Sequence, residues 1–112
     1  MKIYHNPRCS KSRAGLQFLN DKKVEVEVVD YLKNPLSVEE LTKLFEKLGK
    51  APFEMIRQHE ELFKKKYKGK NFSDKEWIQI IAENPKLLHR PIVEKEGKAI
   101  WGQPIEEIGK LL

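Results

Sequence analysis

Within its first quarter the chain changes hydrophobic period twice, and that switching limits it to the α/β class. Lys2-Ile3-Tyr4-His5 reads as a short buried strand running at once into Asn6-Pro7-Arg8-Cys9-Ser10, a cluster of turn formers and polar residues. From Ser10 to Leu19 no proline intervenes, and Ala14, Phe18 and Leu19 recur at helical spacing. After Asn20-Asp21 the pattern becomes strict alternation, with Val24, Val26 and Val28 on one face and Glu25 and Glu27 on the other, which predicts a second strand.

The middle third is helical, and its helix starts are marked. Ser37-Val38-Glu39-Glu40 places a glutamate three residues after a serine, and Leu41, Leu44, Phe45 and Leu48 follow until Gly49 closes the helix. Ser73-Asp74-Lys75-Glu76 repeats the device before Trp77, Ile80 and Ile81, and Asn84-Pro85 ends that helix. Between them lie the apolar segment Pro52 to Ile56, a helix predicted around Glu60 to Lys65, and a lysine-rich loop. Strands return at Pro91 to Glu94 and Ala99 to Gly102, joined through Lys95-Glu96-Gly97-Lys98 as an antiparallel hairpin. A last helix runs from Pro104, at a tolerated first-turn position, to Leu111 and presents Ile105, Ile108 and Leu112. The order predicts an α/β sandwich with a mixed sheet. Residues 1–112 are expected to form one domain carrying a helical insertion at about residues 36–87, because about 50 residues is marginal for independent folding.

Composition excludes several functions. One cysteine allows neither an internal disulfide nor a multi-thiolate zinc site, and His59 and His89 lack clustered ligands, so no metal site is expected. No apolar run approaches the length of a membrane span and the N-terminus lacks a secretory pattern, so a cytoplasmic location and no membrane partner are expected. Lys+Arg 22 against Asp+Glu 17 gives a net charge of +5, which suits anionic partners from nucleic acid to small oxyanions. The Lys64 to Lys70 run reads as a solvated loop. With Tyr67 alone as an accompanying aromatic, a nucleic-acid partner is not expected.

Cys9 is the sharpest chemical feature. It lies where the loop after the first strand enters a helix, so unpaired backbone N–H groups and the positive helix end would point at its sulfur, with Arg8 and Arg13 flanking it. Such surroundings lower a thiol pKa, and the thiolate is the nucleophile. The same N–H groups would bind a tetrahedral oxyanion beside the sulfur.

His5-Asn6-Pro7-Arg8-Cys9-Ser10-Lys11-Ser12-Arg13 resembles the H-N-P-x-C-x-x-S-R loop of the glutaredoxin-dependent arsenate reductase family, and Leu88-His89-Arg90-Pro91-Ile92-Val93 resembles its R-P-I motif. The likeness runs nearly the whole chain, with Tyr31-Leu32-Lys33-Asn34-Pro35 and the helical insertion also in place. It implies a thioredoxin-like, glutaredoxin-like fold with an inserted helical region and a cis peptide bond before Pro91. It also implies Cys9 as nucleophile and Arg57 and Arg90 as oxyanion ligands. The family's third arginine, before a proline, is replaced here by Gln103 before Pro104, which carries no charge. That puts the substrate in question, and with it whether Arg8 or Arg13 compensates.

Reducing arsenate to arsenite takes two electrons, which thiols supply by forming a disulfide, and this chain has one sulfur to give. A second thiol must come from outside. Ser12, where a C-x-x-C pair would have its second cysteine, can hydrogen-bond the thiolate but cannot resolve a mixed disulfide. The resemblance implies glutathione as external reductant, glutaredoxin as partner and no bound cofactor. His5 is expected to support the loop, by hydrogen bonds or charge, and Asn6 to shape the turn, while Trp77 and Trp101 are expected in the core. Alternatives are a family member acting on another thiol-redox substrate, such as glutathione adducts, or a non-enzymatic regulator binding RNA polymerase as the related Spx-type branch does. Those regulators carry a C-x-x-C switch that Cys9-Ser10-Lys11-Ser12 lacks.

Overall fold

In the computed structural model, which describes all 112 residues, four strands form one sheet: β1 (Lys2–His5), β2 (Glu27–Asp30), β3 (Ile92–Lys95) and β4 (Lys98–Trp101). Their order is β2-β1-β3-β4, with β1 and β2 parallel and the other two pairs antiparallel. A parallel pair needs a crossover, and α1 (Ser10–Asp21) supplies it. The expected mixed sheet with helices is therefore present. No helix is long and apolar enough to cross a membrane.

Two compact units divide the chain. The first comprises Met1–Pro35 and Arg90–Leu112, the second Leu36–His89. In the first, Ile3 stands opposite Val28 on one side and Val93 on the other, so the three share a face of the sheet. Ile3 and Val93 are wholly buried there with Leu19 of α1 and Ile108 of the C-terminal 3₁₀ helix (Ile105–Leu111).

Three local expectations are corrected. The second strand begins at Glu27; Val24 and Val26 pack onto the Ile3 cluster ahead of it, whereas Val28 is 47% exposed. Val28 has the right face but lies on an edge strand, where the covering layer runs out. The buried stripe of α1 is Ser12, Gly15 and Leu19, with Ala14 exposed. At the C-terminus, Pro104 precedes the last helix as its extended N-cap, that helix is 3₁₀ throughout, and Leu112 is exposed. The hairpin forms as expected: Lys95 pairs with Lys98, leaving Glu96 (φ 49°) and Gly97 (φ 82°) as a two-residue turn in the left-handed conformation that matches strand twist.

Gly15 explains the shifted stripe. A Cβ there would stand 2.7 Å from Pro91 Cγ and 3.5 Å from Ile108 Cδ1, so the helix can seat on the Pro91 ring only without a side chain. Gly15→Ala is accordingly expected to destabilise by about 1–3 kcal/mol, the usual cost of overpacking, even though alanine is the better helix former. Thermal unfolding should show a lower Tm; an unchanged or higher Tm would mean that the Pro91 contact yields freely.

The second unit packs α2 (Val38–Leu48) and α4 (Asp74–Glu83) together, with α3 (Glu61–Lys66) and two 3₁₀ turns, Pro52–Met55 and Pro85–Leu87. Both predicted capping boxes close: the hydroxyls of Ser37 and Ser73 accept from the N–H of Glu40 and Glu76, whose carboxylates accept from the serine N–H groups. Leu41, Leu44 and Phe45 of α2 and Trp77, Ile78, Ile80 and Ile81 of α4 are buried. Trp77 anchors a cluster of Phe53, Phe63, Tyr67 and Phe72, which accounts for Tyr67 as a packing residue. Trp101, at the outer strand, is only half-buried. Lys64, Lys65 and Lys66 are exposed and end α3, where cations suit the helix dipole.

Candidate functional site

The loop that leads into Cys9 is built by turn chemistry. β1 ends at His5, and Asn6 to Cys9 forms a turn closed by the Cys9 N–H donating to the Asn6 carbonyl at 3.0 Å. The Asn6 Oδ1 accepts from the Arg8 N–H at 3.0 Å, the local side-chain bond that makes asparagine a turn former. Arg13, one turn into α1, donates from Nη1 to the Pro7 carbonyl at 3.0 Å and holds the far side of the loop. Asn6 is buried; Arg8 and Arg13 are exposed.

Cys9 is the N-cap residue of α1, half-buried, with extended backbone (φ −95°, ψ 122°). Its side chain closes no full cap hydrogen bond. The free N–H groups of the first turn nevertheless bear on the sulfur. Burial pushes the thiol pKa up, but the Ser12 and Lys11 N–H groups and the Arg90 guanidinium, by hydrogen bond and charge, pull it down by more. The net position is below the ordinary thiol value, so at a given pH more of Cys9 is thiolate than of an ordinary cysteine.

The hydroxyl of Ser12 has a different task from the one read in the sequence. Ser12 is fully buried, and its Oγ lies 2.7 Å from His5 Nδ1 and accepts from the Asn6 N–H at 3.0 Å. The backbone N–H of Ser12, not this hydroxyl bond, is what bears on the sulfur. His5 is itself buried, and burial lowers its pKa against the opposing pull of Asp30 and the Ser12 bond, with Arg13 lowering it further. An imidazole held toward its neutral form acts on the loop through its hydrogen bond rather than through charge. Ser12→Ala would leave the Asn6 N–H without its acceptor and His5 Nδ1 without its hydrogen-bond partner, and is expected to cost about 1–3 kcal/mol. Chemical denaturation would measure it, and a loss below a few tenths would show the bonds to be dispensable.

Arg90 is buried, and its peptide bond to Pro91 is cis, as the resemblance implied. Pro91 is buried against Gly15 and Gly102. Gln103 is half-buried after β4, and its bond to Pro104 is also cis, which nothing in the sequence reading anticipated. Arg57 belongs to the second unit. Ile56 bridges Leu88, and the Arg57 N–H donates to the Leu87 carbonyl at 2.7 Å, which fixes the backbone there. Its Nε donates to Glu60 Oε1 at 3.2 Å, and Nη2 lies 3.0 Å from His59 Nε2.

The structure thus brings Cys9, His5, Asn6, Ser12, Arg13 and Arg90 together in the first unit. Sequence reasoning missed the Lys11 N–H and the seating of Pro91 on Gly15. A lone glycine inside a helical pattern was the available signal, since such a residue costs about 1 kcal/mol against alanine and usually has a packing reason. Chemically, a favoured thiolate with two N–H donors and a buried guanidinium around it can attack an electrophile and stabilise negative charge as it develops.

Known proteins resemble this chain in sequence and fold. The sequence model of the ArsC family matches residues 4–111. An arsenate reductase of Neisseria meningitidis is 43% identical over 100% of this chain and 97% of its own, and an arsenate reductase of Haemophilus influenzae is 38% identical over 98% and 97%. The solved structure of an arsenate reductase from Vibrio cholerae superposes with a TM-score of 0.94 at 41% identity, covering 100% of this chain and 98% of that one. The fold is the thioredoxin-like α/β fold of these proteins, and with a match running from the first strand to the last helix, the chain belongs to the ArsC family.

Proposed function

We propose that the protein is a thiol-dependent arsenate reductase, working in the reducing cytosol with glutathione and glutaredoxin as external reductants. The observation that carries the reading is the convergence of the Lys11 and Ser12 N–H groups and the Arg90 guanidinium on the one thiol of the chain. The Cys9 thiolate attacks arsenic in bound arsenate, and an S–As bond forms as one oxygen leaves as water or hydroxide. A glutathione thiolate then attacks the Cys9 sulfur. The S–As bond breaks with its electron pair on arsenic, arsenite departs, and Cys9 and glutathione are left joined by a disulfide. Glutaredoxin removes the glutathione and restores the thiol. In this scheme Arg90 and the loop N–H groups stabilise the oxyanion, and Arg57 has the second anion-ligand role that the resemblance implies.

The test is NADPH oxidation by the purified protein with arsenate, glutathione, glutaredoxin and glutathione reductase. Oxidation is expected to require arsenate and to stop when glutathione is left out. Folded protein with an alkylatable Cys9 and no arsenate-dependent oxidation would overturn the reading. Gln103 favours the second reading in that event, another thiol-redox substrate such as a glutathione adduct, because a neutral side chain there makes fewer charge-assisted bonds to an oxyanion.

A further inference from the structure

A chain with one thiol must receive its second thiol somewhere near Cys9, and the first unit has an opening there. A cleft of about 370 Å³ is lined by Asn6, Pro7 and Arg8, the residues directly before Cys9, and by Asp30, Leu32 and Lys33 at and beyond the end of β2. The parallel pairing of His5 with Asp30 brings the two segments side by side. One wall is the turn closed by Cys9 and Asn6, and the other is pinned by the Lys33 N–H donating to Asp30 Oδ1 at 3.1 Å. Neither Arg8 nor Lys33 is paired with a carboxylate.

We infer that this cleft holds glutathione while its sulfur meets Cys9; the inference rests on the thiol-dependent reading of Cys9. Glutathione carries two carboxylates and one ammonium, and the cleft offers two uncommitted cations and one carboxylate. Pro7 and Leu32 give the apolar wall that its short peptide stem requires. The uncommitted charges matter because a cation already holding a carboxylate would have to release it before binding another.

The measurement is the rate at which Cys9 becomes thiolated, followed by intact mass. Cys9 thiolate attacks one sulfur of a disulfide, the S–S bond breaks, one thiolate leaves, and a mixed disulfide with Cys9 remains. Glutathione disulfide is compared with uncharged bis(2-hydroxyethyl) disulfide, so that the ratio of the two rates cancels any change in the reactivity of Cys9 itself. Arg8→Glu/Lys33→Glu is expected to lower the ratio about tenfold, since each exposed charge contact is modest and two are reversed together. Arg8→Gln/Lys33→Gln should lower it less, and gives the answer should the reversed pair disturb folding. Lys64→Glu/Lys65→Glu, in α3 of the second unit, makes the same change in net charge and is expected to leave the ratio within about twofold. An unchanged ratio in the cleft variants, or an equal fall in the α3 variant, would overturn the assignment. Arsenate takes no part in this measurement. A chain that shows the cleft effect without arsenate turnover keeps the docking site and loses the proposed substrate.

Discussion

Cys9→Ser is expected to reduce arsenate-dependent NADPH oxidation to the background of the coupling enzymes while leaving the protein folded. A hydroxyl is a far weaker nucleophile at neutral pH than a thiol whose pKa is lowered, and oxygen cannot take part in the disulfide that carries the two electrons. The position favours a clean experiment. Cys9 is the N-cap of α1 and closes no cap hydrogen bond, whereas serine is among the best N-caps and can accept from the first-turn N–H groups. The variant should therefore unfold at the same temperature or higher, so that lost turnover reports chemistry and not stability. Residual arsenate-dependent turnover above background would remove Cys9 from the reaction.

The second large effect is expected at Arg90. Its guanidinium favours the thiolate, and in the proposed reaction it also faces the arsenate oxygens. In Arg90→Gln the balance shifts toward burial, which raises the thiol pKa, so the pH profile of Cys9 alkylation by iodoacetamide should move upward. At fixed neutral pH the thiolate fraction then falls. Turnover should fall further than the alkylation rate, by about 100- to 1000-fold in all, because an oxyanion donor is lost as well. Arg90→Lys should restore much of the thiol pKa and little of the turnover, since a point charge replaces a planar fork. An unmoved alkylation profile in Arg90→Gln would show that the charge does not act on the sulfur. Equal losses in the two rates would confine Arg90 to tuning the thiol.

These expectations differ in how far the amino-acid order alone supports them. The alternation of periods placed β1, α1, the two capped helices and the hairpin, because each depends on neighbours within a few residues: a serine three before a glutamate, or a two-residue turn holding glycine. The same local character made Cys9 legible, since a strand running through Asn-Pro into a helix puts any residue at that junction among free N–H groups. Arg90 beside that sulfur is another matter. It lies about 80 residues along the chain, and only the resemblance marked it before the fold brought β3 against β1.

What periodicity misjudged was the face and extent of elements whose partners are distant. Ala14 is apolar and suitably spaced, yet α1 turns Ser12 and Gly15 inward because the Pro91 ring occupies the space a side chain would need. Val28 continues its alternation faithfully and is still exposed, because cover over an edge strand depends on where a helix ends, not on the strand's own sequence. The Ser12 hydroxyl lies three residues after Cys9 and suits the sulfur by sequence, but in the fold it meets His5 Nδ1 and the Asn6 N–H at the end of β1 instead. By itself the order of residues determined the class of fold, the starts of the two capped helices and the placing of the Cys9 sulfur at a strand-to-helix junction, all governed by contacts along the chain. Tertiary structure alone decided which guanidinium bears on that atom, which hydroxyl holds the loop and where the uncommitted charges of Arg8 and Lys33 gather around one cleft, because burial and charge act through space between segments that the sequence keeps apart.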